Sequence, residues 1–188
     1  FPQIKFTGKD KGYFTRDGKY FRLEKSGADW KITDWASLNE GAENVKVLPD
    51  NKTIVYTVKN NLFVNRNGKT VAITNDENEA IVNGQAVHRS EFGIDGGIFA
   101  APSNNKIAFY RMDESMVTDY PIIDWASTPA KNVNIKYPMA GNTSHQVTLG
   151  VYDINSQKKT FLNIEGDKEQ YLTAVTWSPD SKYIFVGV

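Results

Sequence analysis

One short unit recurs three times in this chain and limits the available folds more than any other feature. Each copy has an apolar strand, a Pro, a turn of Asp, Asn or Ser, a Lys, and a second strand of β-branched and aromatic residues. The copies are VKVLPDNKTIVY (residues 45–56), IFAAPSNNKIAFY (98–110) and VTWSPDSKYIFV (175–186). Because Pro fixes φ at the first turn position and short polar residues close the turn, each copy predicts a β-hairpin.

A fourth and weaker copy, YFTRDGKYFRL, occupies residues 13–23 and has Arg16 at the proline position. The four copies place blade hairpins near residues 13–23, 45–58, 98–112 and 175–188. A unit that recurs with several strands per repeat of roughly 40 to 50 residues is typical of a β-propeller.

The spacing of the repeat predicts an insertion. Pro102 follows Pro49 by 53 positions, whereas Pro179 follows Pro102 by 77 positions. The second interval is longer than one four-stranded blade needs, and the stretch near 113–138 is the expected insertion. At this spacing, residues 1–188 hold roughly four blades of a propeller.

The remaining strand signals are short and have a period of two. Asn67-Gly68 separates two of them and favours a two-residue turn with positive φ at both positions. No long segment has helical periodicity. The sequence therefore predicts an all-β chain of several four-stranded antiparallel blades, an incomplete propeller whose open blade edges favour self-association.

Composition excludes several classes of function. Lys and Arg number 22 against 22 Asp and Glu, which argues against a nucleic-acid binder or an anionic-membrane binder. The sequence contains no run of about 18 apolar residues, so we predict no transmembrane helix in it. This segment also has no signal peptide. The chain has no Cys and 2 His, so we predict no metal site and no cofactor.

Two stretches in the second half of the chain carry a family resemblance. APSNNKIAFYRMDESMVTDYP (101–121) and KYPMAGNTSHQVTLGVYDI (136–154) resemble the N-terminal β-propeller of the dipeptidyl peptidase IV group, within the prolyl oligopeptidase family of serine peptidases. The Tyr-Pro-x-Ala-Gly stretch that begins at Tyr137 is the more specific element, because many propellers share the Ser-Pro-Asp turn.

The resemblance implies an eight-bladed propeller that covers a C-terminal α/β-hydrolase domain of the same polypeptide, which holds a Ser-Asp-His triad. This chain contains no Gly-x-Ser-x-Gly elbow, so we predict no catalytic residue in it. On the resemblance, the chain is a propeller segment that gates access to a dipeptidyl or prolyl tripeptidyl aminopeptidase, inactive alone. A periplasmic or extracellular location is expected.

The resemblance also implies a binding site for the free N-terminus of a peptide substrate. In the family, a propeller glutamate pair grips the α-ammonium group, and the matching positions here are Ser90 and Glu91. A carboxylate pairs with an amine by charge-assisted hydrogen bonds worth ~1.5 to 3 kcal/mol each. Because Ser90 departs from the family pattern, the length of the released peptide stays open between two and three residues.

Other candidates have plainer interpretations. Arg111, with Asp113 and Glu114, could brace the active-site face, although a salt-bridge cluster at a blade rim is favoured. His88 could tune the site three residues away, but packing in the same loop is the preferred interpretation, and no role is assigned to His145. The acidic stretch 75–79 lacks the spacing of a calcium loop and is predicted to be a solvated turn.

Two functions of other classes remain open from the sequence. The chain could be a stand-alone interaction module that binds a protein or a glycan through rim loops. It could also be a periplasmic propeller that accompanies a transport system, a weaker alternative that rests only on the generic Ser-Pro-Asp turns. The continuation past Val188 discriminates between them, because a Gly-x-Ser-x-Gly elbow further on would identify the peptidase.

Overall fold

A computed structural model describes residues 2–188, so Phe1, the first residue of the expected propeller segment, lies outside the described residues. The chain begins with two four-stranded antiparallel sheets, each formed by consecutive strands. The first sheet contains β1 (Lys5–Gly8), β2 (Lys11–Arg16), β3 (Lys19–Ser26) and β4 (Asp29–Ser37). The second contains β5 (Ala42–Val47), β6 (Thr53–Val58), β7 (Asn61–Arg66) and β8 (Lys69–Ala72).

The second half of the chain forms a five-stranded sheet and two hairpins. In chain order the strands are β9 (Ile81–Asn83), β10 (Ile98–Ala100), β11 (Lys106–Asp113), β12 (Asp119–Asp124), β13 (Lys131–Lys136), β14 (Gln146–Asp153), β15 (Lys158–Phe161), β16 (Thr173–Trp177) and β17 (Ile184–Gly187). The third sheet has the order β10-β11-β14-β15, and β9 also pairs with β11. The predicted all-β class of four-stranded antiparallel blades is confirmed, with β9 as an addition to the third sheet.

The three proline turns share one backbone geometry. In each, the second residue after Pro has positive φ and donates its N–H to the carbonyl of the residue before Pro. These bonds are Asn51 to Leu48 (3.1 Å), Asn104 to Ala101 (2.9 Å) and Ser181 to Ser178 (2.9 Å). Asn and Ser suit this position because short polar side chains tolerate, or stabilise, a tight turn.

The weak fourth copy is a different turn. Asp17 and Gly18 have φ values of 50° and 74°, which make a two-residue connection between β2 and β3. The proline turns instead connect the first and second strands of their units, β5 to β6, β10 to β11 and β16 to β17. The resemblance of residues 13–23 to the other copies is therefore shifted by one strand within the sheet.

Alternate residues of the inner strands pack against different sheets. In β6, Ile54 and Tyr56 contact the cluster that includes Trp35 of the first sheet, whereas Val55 contacts the cluster shared with the third sheet. In β11 the residues likewise alternate between the second sheet (Ile107, Phe109) and the last hairpin (Ala108, Tyr110). Because sheets stack on both faces, these strands are apolar throughout although their side chains alternate.

The hairpin β12–β13 lies in the stretch where an insertion is expected. It pairs only with itself and exposes apolar side chains, among them Ile123 (52% exposed) and Trp125 (79%). Lys136 and Tyr137 at its base lie close to the connection between β9 and β10. One end of this hairpin thus lies against the segment that carries Glu91.

No helix between residues 2 and 188 is long and apolar enough to cross a membrane. Within the same range, no group of three or more His, Cys, Asp or Glu side chains is arranged to hold a metal ion.

Candidate functional site

Glu91 lies in a short connection between β9 and β10, which we call the glutamate loop (residues 87–94). Its backbone is unusual because His88, Arg89, Ser90 and Phe92 all have φ between 50° and 60°. Glu91 interrupts this run with extended values, φ −69° and ψ 162°. Non-glycine residues rarely adopt positive φ, so several together persist only where contacts with the rest of the structure hold them.

The base of the hairpin β12–β13 holds one side of the loop. Arg89 donates through Nη2 to the carbonyl oxygen of Lys136 at 3.0 Å. Its guanidinium carbon lies 4.0 Å from the centre of the Tyr137 ring, within the range of a cation–π interaction. Tyr137 begins the Tyr-Pro-x-Ala-Gly stretch that the sequence singled out, so part of that stretch supports the glutamate loop.

His88 and His145 meet on the buried side of the loop. Nδ1 of His88 lies 3.1 Å from Nε2 of His145, and the backbone N–H of Leu172 donates to Nε2 of His88 at 3.2 Å. Since Nε2 of His88 accepts a hydrogen bond from the backbone N–H of Leu172, a neutral His88 carries its own proton on Nδ1. That proton is directed at Nε2 of His145, so both rings fit this arrangement in the neutral state.

Both histidines have lowered pKa values for the same principal reason. Burial, together with the nearby ring of His145, lowers the pKa of His88 from 6.5 to about 4, although the carboxylate of Glu91 acts in the opposite direction. Burial and the positive charge of Arg89 lower the pKa of His145, against the effect of Glu169. The two pKa directions agree with the neutral pair that the hydrogen bonds require.

Tyr171 covers the loop from the solvent side and contacts Glu91 directly. Its hydroxyl donates to Oε2 of Glu91 at 3.1 Å. Its ring stacks on His88 with the ring centres 4.3 Å apart, and it meets the Phe92 ring edge to face with the ring centres 5.3 Å apart. The phenol therefore holds one oxygen of the Glu91 carboxylate. Because Glu91 is exposed, the carboxylate remains accessible to a cationic ligand.

A small cavity of about 160 Å³ lies behind the loop, lined in part by His88, His145, Glu114 and Lys136. Burial raises the pKa of Glu114, although the positive charges of Lys136 and Arg89 act against the shift. The cavity therefore places charged groups of both signs beside the histidine pair.

Arg111 lies in a separate cluster. It donates through Nη2 to Oδ1 of Asp76 at 2.9 Å, and Asn83 donates to the other carboxylate oxygen at 3.0 Å. Burial opposes ionisation of Asp76, but these two hydrogen bonds and the charge of Arg111 hold its pKa below the ordinary value. The ion pair connects the loop after the second sheet to β11, and no described contact joins Arg111 to Glu91.

Sequence reasoning did not find Tyr171 and assigned no role to His145. These residues lie 80 positions from Glu91 and 57 from His88, respectively. No local spacing connects residues so far apart. The only available signal was the position of His145 at the end of the Tyr137 stretch, immediately before β14.

Comparisons with known proteins agree on one family. The family model described as the dipeptidyl peptidase IV (DPP IV) N-terminal region matches residues 11–188. A protein of Talaromyces marneffei described as a probable dipeptidyl-aminopeptidase B is 30% identical over 156 residues, which cover 72% of this chain and 17% of the relative. A similarly described protein of Pyrenophora tritici-repentis is 25% identical and covers 93% of this chain.

Two solved structures are similar in fold. The crystal structure of a Bacteroides ovatus protein, described as a dipeptidyl aminopeptidase IV, matches with a TM-score of 0.83 and 40% identity, over 96% of this chain and 25% of that one. Porphyromonas gingivalis dipeptidyl peptidase 4 matches with a TM-score of 0.74 and 18% identity, over 98% of this chain and 28% of that one. The sheets described above correspond to propeller blades, and the chain spans between 17% and 28% of the length of these relatives.

Proposed function

Because the chain belongs to the family of dipeptidyl peptidase IV N-terminal regions, we propose that it is the non-catalytic propeller segment of a serine exopeptidase, which gates access and binds the N-terminal amine of the substrate through Glu91. The observation that supports this role is the geometry of the carboxylate. Tyr171 holds one oxygen of Glu91, and the exposed side chain leaves the carboxylate open to an ammonium group.

An exposed carboxylate alone binds an amine weakly, because water screens the charges. The proposal therefore requires that another part of the parent polypeptide covers Glu91 when substrate is bound. The α/β-hydrolase domain of the family is the expected cover, since it would also supply the triad. With water excluded, charge-assisted hydrogen bonds to the ammonium group distinguish a free N-terminus from a blocked one.

The substrate is then a peptide with a free N-terminus, and the parent acts as a dipeptidyl or tripeptidyl peptidase. Ser90, at the first position of the family's glutamate pair, has an exposed side chain beside Glu91 and presents a hydroxyl in place of a carboxylate. Because this loop offers one carboxylate rather than two, release of a dipeptide and release of a tripeptide both stay open. An enzyme of this kind acts in the periplasm or outside the cell. Arg111 is proposed only as a brace between sheets, because its guanidinium is already paired with Asp76.

The test uses the full-length polypeptide and a Gly-Pro chromogenic amide beside its N-acetylated form. Glu91→Gln is expected to lower kcat/KM for the free-amine substrate by ~10²-fold or more, because the neutral amide weakens two charge-assisted bonds. Glu40→Gln, at an exposed glutamate between the first and second sheets, is the matched control and should behave as the unchanged protein. Unchanged kinetics for Glu91→Gln would remove the assigned role. An Ala-Ala-Pro amide separates tripeptidyl from dipeptidyl release.

A further inference from the structure

We propose that Tyr171 and a neutral His88–His145 pair are positioning groups that fix Glu91 for amine binding, and that acid releases the loop. The inference rests on the proposed function of Glu91 and deepens it. It concerns groups that lie on three segments distant in sequence from one another: the glutamate loop, the turn before β14, and the turn before β16.

Tyr171 holds the carboxylate of Glu91 in one orientation. The side chain makes two contacts with the loop at once, a hydrogen bond to Oε2 of Glu91 at 3.1 Å and a stack on His88 at 4.3 Å. The phenol therefore selects one orientation of a carboxylate that is otherwise exposed. Fixing that orientation before the ligand arrives removes an entropic cost of binding.

The histidine pair is fully hydrogen-bonded only when both rings are neutral. Neutral His88 accepts from the N–H of Leu172 and donates to Nε2 of His145, so all three groups are satisfied. A proton added to Nε2 of His88 would face the N–H of Leu172. A proton added to Nε2 of His145 would face the proton on Nδ1 of His88. Either protonation therefore replaces a hydrogen bond by a contact between two donors.

The backbone of the glutamate loop couples the histidine pair to Glu91. His88 and Glu91 are separated by two residues of positive φ, Arg89 and Ser90, and the turn between them is closed by the N–H of Ser90 donating to the carbonyl of Val87 at 3.0 Å. A turn in this region of φ needs external contacts to persist. Loss of the histidine contacts removes the buried anchor of the loop.

The charges around the pair act in both directions. Arg89 opposes protonation of His145, whereas Glu91 favours protonation of His88 and Glu169 favours that of His145. Lys136 and Glu114 line the cavity beside the pair, one charge of each sign. The net direction is set by burial, since the pKa values of both histidines lie below the ordinary 6.5. Because the pKa of His88 is lowered, the neutral ring contributes its full stabilisation of the folded protein above pH 6.5. That stabilisation is lost as the pH falls towards about 4.

Tyr171→Phe in the full-length polypeptide tests the tyrosine, because it removes the hydroxyl and keeps the stacked ring. We expect KM for the free-amine amide to rise roughly 2- to 10-fold, the effect of one ordinary hydrogen bond, with kcat little changed. The same change in the Glu91→Gln background should add nothing, since the carboxylate it positions is gone. Tyr183→Phe, at a tyrosine that is 66% exposed, is the control and should leave KM unchanged.

The outcomes separate this inference from the proposed function. If Glu91→Gln is without effect, the amine-binding role itself is wrong. If Glu91→Gln lowers activity while Tyr171→Phe equals the unchanged protein, only the positioning role of Tyr171 is overturned. An equal effect of Tyr171→Phe with and without Glu91 would also overturn it, because the tyrosine would then act on something else.

Hydrogen exchange at the amides of Leu172 and Ser90 tests the histidine pair without any activity assay. After correction for the intrinsic exchange rates, we expect exchange at these amides to accelerate as the pH falls from 6.5 to about 4. The acceleration is at most about tenfold per pH unit for each proton taken up. At pH 7.5, His145→Gln should retain protection, because its amide oxygen can accept from Nδ1 of His88. His145→Ala should lose it. Protection that does not depend on pH or on residue 145 would overturn the proposed release.

Discussion

At the scale of single residues, Gly97 shows how closely two backbones approach beside the candidate site. A Cβ at Gly97 would lie 2.0 Å from the carbonyl oxygen and 2.5 Å from the nitrogen of Gln85. Gly97 also accepts a hydrogen bond from the N–H of Tyr110 at 3.0 Å. The chain segments that enter and leave the glutamate loop therefore touch through backbone atoms that cannot move apart independently.

Gly97→Ala is expected to destabilise the protein by roughly 1 to 3 kcal/mol or more, because the added methyl group meets backbone rather than a flexible side chain. Gly96→Ala is a matched control one position away, where a Cβ meets nothing within 4 Å. The thermal unfolding midpoint should fall for the first variant and stay unchanged for the second. Equal midpoints would show that the Gln85 segment relaxes freely.

Residue-scale features divide into those that the sequence could predict and those that it could not. Asn67 and Gly68 have positive φ, as their order in the sequence predicts, because turn chemistry is local. The contacts of Glu91 could not be predicted in the same way. Its partner Tyr171 is set by the stacking of elements 80 positions apart, and the resemblance that identified Glu91 carried no information about that neighbour.

At the scale of elements, the turn before β16 is fastened to the third sheet and to the glutamate loop by the two backbone groups of one residue. The hydroxyl of Tyr110 on β11 donates to the carbonyl of Leu172 at 2.6 Å, and the N–H of Leu172 donates to His88. Burial raises the pKa of Tyr110 from 10.0 to about 12. The segment that carries Tyr171 is therefore held on the sheet by buried polar contacts.

Tyr110→Phe should cost about 1 to 3 kcal/mol of stability, because it leaves the carbonyl of Leu172 buried without a donor. As the pH is raised, the stability of the variant should also fall less than that of the unchanged protein. A raised pKa gives a contribution that is complete below pH 10.0 and disappears as the pH rises through about 12.

Thermal midpoints between pH 8 and pH 12 check both expectations for Tyr110→Phe. Tyr152→Phe is the control at pH 8, since that tyrosine is also buried on the third sheet and its hydroxyl has no hydrogen bond within residues 2–188. Burial raises the pKa of Tyr152 as well, so the alkaline dependence of Tyr110→Phe is compared with that of the unchanged protein. A midpoint for Tyr110→Phe equal to that of the control would contradict the assigned role.

Elements were more predictable than their arrangement. The proline turns at residues 49, 102 and 179 join antiparallel strands because turn type follows from a few adjacent residues. The fourth copy, at residues 13–23, is also a hairpin, but it joins the second and third strands of its sheet, since a strand, a polar turn and a Lys fit any hairpin of a blade. The extra strand β9 carries no signal of its own, because its three residues pair only through β11.

At the scale of the whole molecule, the described sheets present apolar side chains on open surfaces. Phe6 on β1 is 63% exposed, Ile32 on β4 is 57% exposed and Phe185 on β17 is 59% exposed. In a larger propeller, neighbouring blades would cover such positions. Sheet edges and faces that lack a neighbour favour pairing with another chain.

Expressed alone, the 188-residue chain is therefore expected to self-associate and to have no peptidase activity. Sedimentation velocity over a range of concentrations measures the first expectation, and the chromogenic amides measure the second. The double variant Phe6→Lys, Ile32→Lys should shift the distribution towards monomer. A monomer at every concentration, or cleavage of the free-amine amide, would contradict the respective expectation.

The glutamate loop also has a consequence for the order in which the protein forms during synthesis. Glu91 leaves the ribosome 80 residues before Tyr171, and His88 leaves it 84 residues before Leu172. At about 5 to 20 residues per second, the partners follow roughly 4 to 16 s later. The first two sheets can pair in that interval, whereas the left-handed turn around Glu91 lacks the contacts that hold it. The candidate binding site can thus become ordered only after the segment that carries Tyr171 has been made, later than the first two sheets.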